Sequence, residues 1–181
     1  MMKKKILYTL MAVMFVGFTA KAQTPGLKIG YTNTEYVLSL LPAAKQIQTE
    51  LTDYNEQLTK QLKSKETTLQ TKIAAYQKEA GTMTELIRKD KEREIQGLES
   101  SLRQFQQEAQ TSFTAKQQNL LSPVLEKIQG AIKTVAEENN FTHILNSGSN
   151  GMDVLLFAKE EFDISNLVLA KLGVEAPTSS N

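Results

Sequence analysis

Gln77-Lys78-Glu79-Ala80-Gly81-Thr82-Met83-Thr84-Glu85-Leu86-Ile87 decides the fold, because it is a turn signal set between two long stretches of helical apolar spacing. Gly81 can take the left-handed conformation that closes a helix, and Thr82 with Glu85 has capping-box spacing for the next one. The turn is therefore placed at residues 80 to 84. Pro42 and Pro123 lie almost the same distance from it on either side. The reading is a helical hairpin: one limb from Pro42 to Ala80, a corner at Gly81-Thr82, and a return limb through Leu121 before Pro123 bends it. At about 1.5 Å per residue each limb reaches roughly 60 Å, far longer than the rest of the chain can match.

Apolar positions in the outgoing limb recur at Ile47, Leu51, Tyr54, Leu58, Leu62, Leu69, Ile73 and Tyr76, mostly at steps of three and four. Eleven-residue spacing fits them better than seven. Ile47, Leu58, Leu69 and Ala80 form one series and Leu51, Leu62 and Ile73 another, which predicts a straight or slightly right-handed helix pair. The return limb carries Leu98, Ala109 and Leu120, and Leu102, Phe113 and Val124. Ile95 and Phe105 complete the expected seam. If the limbs run antiparallel about the turn, partner numbers sum to about 165, which sets Leu62 near Leu102, Leu69 near Ile95 and Leu51 near Phe113. Lys65 and Lys116 interrupt the stripes, and a two-helix contact has one seam, so the arms are expected to be marginally stable and able to bend.

Near the turn, Arg88, Lys89, Lys91 and Arg93 are offset by Glu85, Asp90, Glu92 and Glu94. The local charge is zero, and Glu85 to Lys89 and Arg88 to Glu92 have the spacing of helix-surface ion pairs. Met83, Leu86 and Ile87 are bulky apolar groups at the end of a thin projection. Two readings stand for them: packing that closes the hairpin, or an adaptable contact surface.

The first 22 residues read as an export signal cleaved after Ala22: Lys3, Lys4 and Lys5 precede the apolar run Ile6 to Phe18, which closes on Ala20-Lys21-Ala22. The run is short for a bilayer-spanning helix. Without it, 17 basic side chains face 20 acidic ones, a net charge of −3 that removes the main support for a nucleic-acid partner. There are no cysteines, so disulfides and thiolate metal sites are excluded. His143 is the single histidine and is expected in a structural role within an apolar strand. No phosphate-cradling glycine loop, G-x-S-x-G or H-E-x-x-H motif occurs. The chain is read as a non-enzyme with no catalytic residues, no metal and no cofactor.

Outside the arms, Leu27 to Thr32, Phe141 to Asn146 and Asp153 to Ala158 are strand candidates. The second and third are expected to form a hairpin across Ser147 to Gly151. Thr32 with Glu35 predicts a short helix to Leu40, and Asp163 is placed as the cap of a final helix ending near Leu172 before Gly173. Residues 23–41 and 124–175 thus make a β-containing body, 42–123 the arm, and 176–181 a disordered tail. Ile29, Tyr31, Ile144, Val154 and Leu156 are assigned to an oligomer-forming sheet. So small a sheet exposes unpaired edges, and closing several copies into a shared barrel would remove them. The fold class is α+β, a long antiparallel helical-hairpin arm on a small sheet body.

Several segments together resemble the Skp/OmpH family of periplasmic outer-membrane-protein chaperones. They are Lys28-Ile29-Gly30-Tyr31-Thr32-Asn33-Thr34-Glu35-Tyr36-Val37-Leu38, Gln104-Phe105-Gln106-Gln107, Pro123 to Ile128 with Ala131-Ile132 and Val135-Ala136, and Asp163-Ile164-Ser165 followed by Leu167-Val168. The resemblance implies a homotrimer with a central barrel, whose three arms hold unfolded outer-membrane β-barrel proteins without ATP. Familiar members are strongly basic and this mature chain is slightly acidic, so contact with membrane surfaces or lipopolysaccharide is left open. The competing reading is a structural or adaptor coiled coil of the cell envelope.

Overall fold

The computed structural model describes residues 26–148 and 155–177. The expected export signal lies outside them. Strand β1 (Ile29–Thr32) leads into α1 (Thr34–Leu40), α2 (Pro42–Glu79), α3 (Glu85–Glu138), strand β2 (His143–Asn146), a 3-10 turn (Glu160–Phe162) and α4 (Ser165–Lys171). At about 1.5 Å per residue, the 38 residues of α2 span about 57 Å and the 54 of α3 about 81 Å. The two helices pack side by side as the hairpin.

The helix end and the helix start at the turn both differ in detail from the spacing argument. Gly81 does not adopt the left-handed conformation. Instead Thr82 N–H donates to Glu79 O at 2.9 Å, tightening the last turn. The N-cap of α3 is Thr84, not Thr82: its Oγ accepts from Ile87 N–H at 3.4 Å, while the Thr82 hydroxyl donates back to Glu79 O. Likewise Asn33, not Thr32, caps α1, accepting from Tyr36 N–H at 2.9 Å. Thr32 is 1% exposed and is engaged elsewhere.

Pro123 does not end the return limb, for α3 runs through it to Glu138. Its ring removes one helical donor, orphaning the Asn119 carbonyl. Both residues lie on the exposed face, where water can serve that carbonyl. On the opposite face Val124, Ile128, Ala131 and Val135 are buried at helical spacing and hold the helix together. The helix ends instead at Asn140, whose φ of 56° is one that asparagine tolerates better than most residues. Phe141 N–H bonds to Ala136 O at 2.9 Å and Asn140 N–H to Glu137 O at 3.3 Å, a Schellman closure. Gly173 (φ 78°) ends α4 the same way, with Val174 N–H on Leu169 O at 3.0 Å.

The sheet also departs from expectation. β1 pairs with β2 in parallel, Ile29 opposite His143 through Thr32 opposite Asn146, so the hairpin is itself the crossover between the two strands. Of the expected third strand, Val154 lies outside the described residues. Residues 155–158 are not a strand, and Leu156 is 91% exposed. Where a third strand could pair, the far edge of β1 meets the chain entering α4: Ile164 N–H donates to Tyr31 O at 2.9 Å. Tyr31 is half-buried there, and burial followed by the nearby Asp163 and Glu160 carboxylates push its phenol up from the usual value. His143 is exposed, one strand position away from the burial its apolar neighbours suggested.

Gly30 has a packing reason: a Cβ there would meet Phe141 at 2.8 Å and Ile144 at 3.0 Å. Lys28 closes over the same ring, its Nζ 4.1 Å from the Phe141 centroid and 2.8 Å from Asn139 O. The core gathers Val37 and Leu41 from α1 and its end, Ile47 and Leu51 from α2, the four α3 residues, and Ile164, Val168 and Leu169. At its centre Thr32 Oγ1 and Ser165 Oγ share a buried hydrogen bond of 3.1 Å, and Asn33 N–H also donates to Ser165 at 3.2 Å. Asp163 accepts from Ser165 N–H at 2.8 Å, opening α4.

Candidate functional site

Cross-limb contacts give the arm register directly. Glu50 with Lys116 at 3.2 Å, Tyr54 with Ser112, Lys65 with Ser101 at 3.2 Å and Lys72 with Glu94 at 2.6 Å all have numbers summing to 166, and Tyr76 with Glu92 sums to 168. The expected sum was 165. The two lysines that interrupt the stripes are thereby engaged, and Lys65 also lies 5.4 Å from the Phe105 ring centroid. Their long apolar stems cover part of the seam while the ammonium groups reach polar partners.

Burial along the seam is graded. Ile47 and Leu51 are buried at the base, whereas Leu58, Leu62, Leu69, Ile73, Ile95, Leu98, Leu102, Phe105, Phe113 and Leu120 are half-buried. Between residues 52 and 123 no residue is buried. Two helices cover only one side of each other, so every seam residue keeps an open flank.

At the tip, Met83 is half-buried beside Ile95 in a small cleft with Lys72, Tyr76, Lys91 and Glu94. Leu86 and Ile87 are 71% and 47% exposed. The structure thus divides the three: Met83 contributes to closing the hairpin, and the other two face outward. The flanking charges form Glu85–Lys89 at 2.9 Å, Lys91–Glu94 at 3.4 Å and Arg93–Asp90 at 3.1 Å. Glu92, expected to pair with Arg88, accepts the Tyr76 hydroxyl instead, and that hydrogen bond, followed by burial and the carboxylate charge, raises the phenol's pKa against the opposing charge of Arg88. Hydrogen bonding to Lys72 first, and to Lys91 after it, holds the Glu94 carboxyl below its usual range against some desolvation.

Midway along the arm the seam opens into a groove of about 330 Å³. Leu58, Leu62, Ala109 and Phe113 form its floor, and Asn55, Thr59, Gln106 and Gln110 its rim. The groove exists because Ala109 stands where the eleven-residue pattern elsewhere puts Leu98 and Leu120. It was not foreseen from the pattern, although that small residue was the available signal.

The base has apolar surface of its own. Ile29 and Leu145 are 42% and 39% exposed, Leu156 and Phe157 91% and 83%, while Ile144 is half-buried against the core. Among the described residues no group of three His, Cys, Asp or Glu side chains could hold a metal, and no helix is long and apolar enough to cross a membrane.

The described residues form a slender two-helix arm on a small α+β root, with apolar surface at both ends. The family described as outer membrane protein (OmpH-like) matches residues 28–172, and the chain belongs to that family. It is 25% identical over 146 residues to the chaperone protein Skp of Photorhabdus luminescens, covering 81% of this chain and 88% of that one. An OmpH-like outer membrane chaperone structure from Caulobacter crescentus CB15 shares the fold with a TM-score of 0.69 at 16% identity, over 90% of this chain and 94% of the other.

Proposed function

We propose that this protein is an ATP-independent holdase of the periplasm: three copies join through their roots, and the arms shelter unfolded outer-membrane β-barrel proteins between them, preventing aggregation. The observation that carries this reading is the unburied arm. A pair of helices with no buried residue from 52 to 123 has no internal reason to extend so far from its core, and its use lies in the surface it presents. A sheet of two strands among the described residues, with Ile29 and Leu145 exposed on it and Leu156 and Phe157 exposed nearby in the chain, supports assembly, since such a sheet is marginal alone and its edges invite pairing with further copies. Leu86 and Ile87 are the proposed tip contacts with the held chain, with Met83 behind them. Many weak contacts at high local concentration replace a single tight site.

Solution mass and aggregation suppression measured on the same sample test this. The expected result is a trimer that keeps several urea-diluted barrel proteins from aggregating at stoichiometric concentration, without nucleotide, and that still does so at moderate salt, because the mature chain offers no net basic field. A compact monomer with no holding activity overturns it. Binding of one folded partner at fixed stoichiometry identifies an adaptor instead.

A further inference from the structure

The lining of the mid-arm groove carries no charged side chain. From Gln104 to Pro123 the only charged side chains are Glu108 and Lys116. Both are engaged, Glu108 by Gln104 at 2.8 Å and Lys116 by Glu50 at 3.2 Å. The opposite face of α2 at the same level is quite different, with a groove lined by Asp53, Glu56, Gln57 and Lys60. Gln106 and Gln110 also line a second groove on the far side of α3, so their amides form a ridge between two depressions.

We infer that this groove grips one extended segment of the held chain, a strand alternating apolar with uncharged polar residues; the inference rests on the holdase reading and names its contact point. Three matches support that occupant. The apolar floor accepts a large aliphatic or aromatic side chain, since its volume falls at the lower end of ligand-binding pockets. The rim offers carboxamides and a hydroxyl, which can donate to and accept from peptide groups, whereas a charged segment would find no counter-charge there. Finally, Gln106 and Gln110 are four residues apart, about 6 Å along the helix, and same-side groups of an extended chain repeat every two residues at about 6.6 Å. Transmembrane β-strands have the required alternation.

The test uses the full chain with an unfolded β-barrel protein diluted from urea. A photo-cross-linking residue at Thr59 faces the groove, and one at Gln57, on the charged face of the same helix, serves as control. Adducts to the barrel protein from position 59 well above those from position 57 are expected. Ala109→Leu fills the floor and is expected to weaken holding about tenfold, the scale of one lost buried apolar side chain, while arm helicity is kept. Gln106→Glu with Gln110→Glu leaves the floor intact, charges the rim and is expected to act in the same direction, which covers the case in which the larger side chain distorts the arm. Equal adducts at the two positions, or both variants holding as well as the parent, overturn the groove and leave the holdase reading standing. Adducts only to a second copy of this chain also overturn it, in favour of arm-to-arm contact. Failure of the parent protein to suppress aggregation removes the holdase reading and this inference together.

Discussion

The root and the arm are built from helices of similar composition and the same apolar spacing, yet Ile128 at the root is 1% exposed and Leu69 in the arm is only half-buried. The difference lies in the number of neighbours. At the root α1, α4 and the sheet close over the α2–α3 seam, and each apolar side chain is covered from several directions. Along the arm only the facing limb is present. Helical periodicity reports which face of a helix is apolar, whereas burial depends on how many elements share that face.

The largest effect that should separate the regions is Ile128→Ala. It removes a fully buried side chain and is expected to cost about 2 to 5 kcal/mol in chemical denaturation. Ser165→Ala comes next, at about 1 to 3 kcal/mol, because the Thr32 hydroxyl and the Asn33 N–H lose their buried partner. Leu69→Ala should cost about 1 kcal/mol or less, since the side chain already sees solvent. Its signature is faster hydrogen exchange in the neighbouring arm with the root unchanged. A Leu69→Ala loss as large as that of Ile128→Ala would erase the distinction.

The smallest effect is set by pH. Glu94 has its folded pKa depressed below the reference value of 4.5, so its contribution is present above that value and is lost as pH falls through the depressed one. Hydrogen-exchange protection between Lys72 and Ile95, taken relative to the intrinsic rate at each pH, should therefore fall below about pH 4.5, and Glu94→Gln should abolish that local response. Tyr76 has the opposite sign. Its raised phenol pKa means that the tip contact is intact below pH 10.0 and is lost as the phenol ionises above it.

Much of the site was legible because it depends on local rules. The hairpin, its antiparallel register to within a residue and the half-covered stripe follow from apolar spacing about a turn, and the matching ion pair Glu85–Lys89 follows from a four-residue step. Cap positions were off by two residues at Thr84 and by one at Asn33, because the Thr82 hydroxyl turns back to Glu79 O and Thr32 is held by Ser165. The mid-arm groove was hidden because a stripe of apolar letters does not register the volume missing at Ala109.

Spacing along the chain therefore determined the arm, since a helix presents its face by geometry alone and two matching faces need only a turn to meet. Tertiary structure decided the root. The parallel pairing of Ile29–Thr32 with His143–Asn146 and the buried bond from Thr32 to Ser165 join residues more than a hundred positions apart, and the continuation of α3 past Pro123 goes with burial of Val124, Ile128, Ala131 and Val135 in that root. No local pattern ranks such partners, because the free energy that selects them comes from surfaces that do not exist until the hairpin has folded back and brought its two flanking segments together.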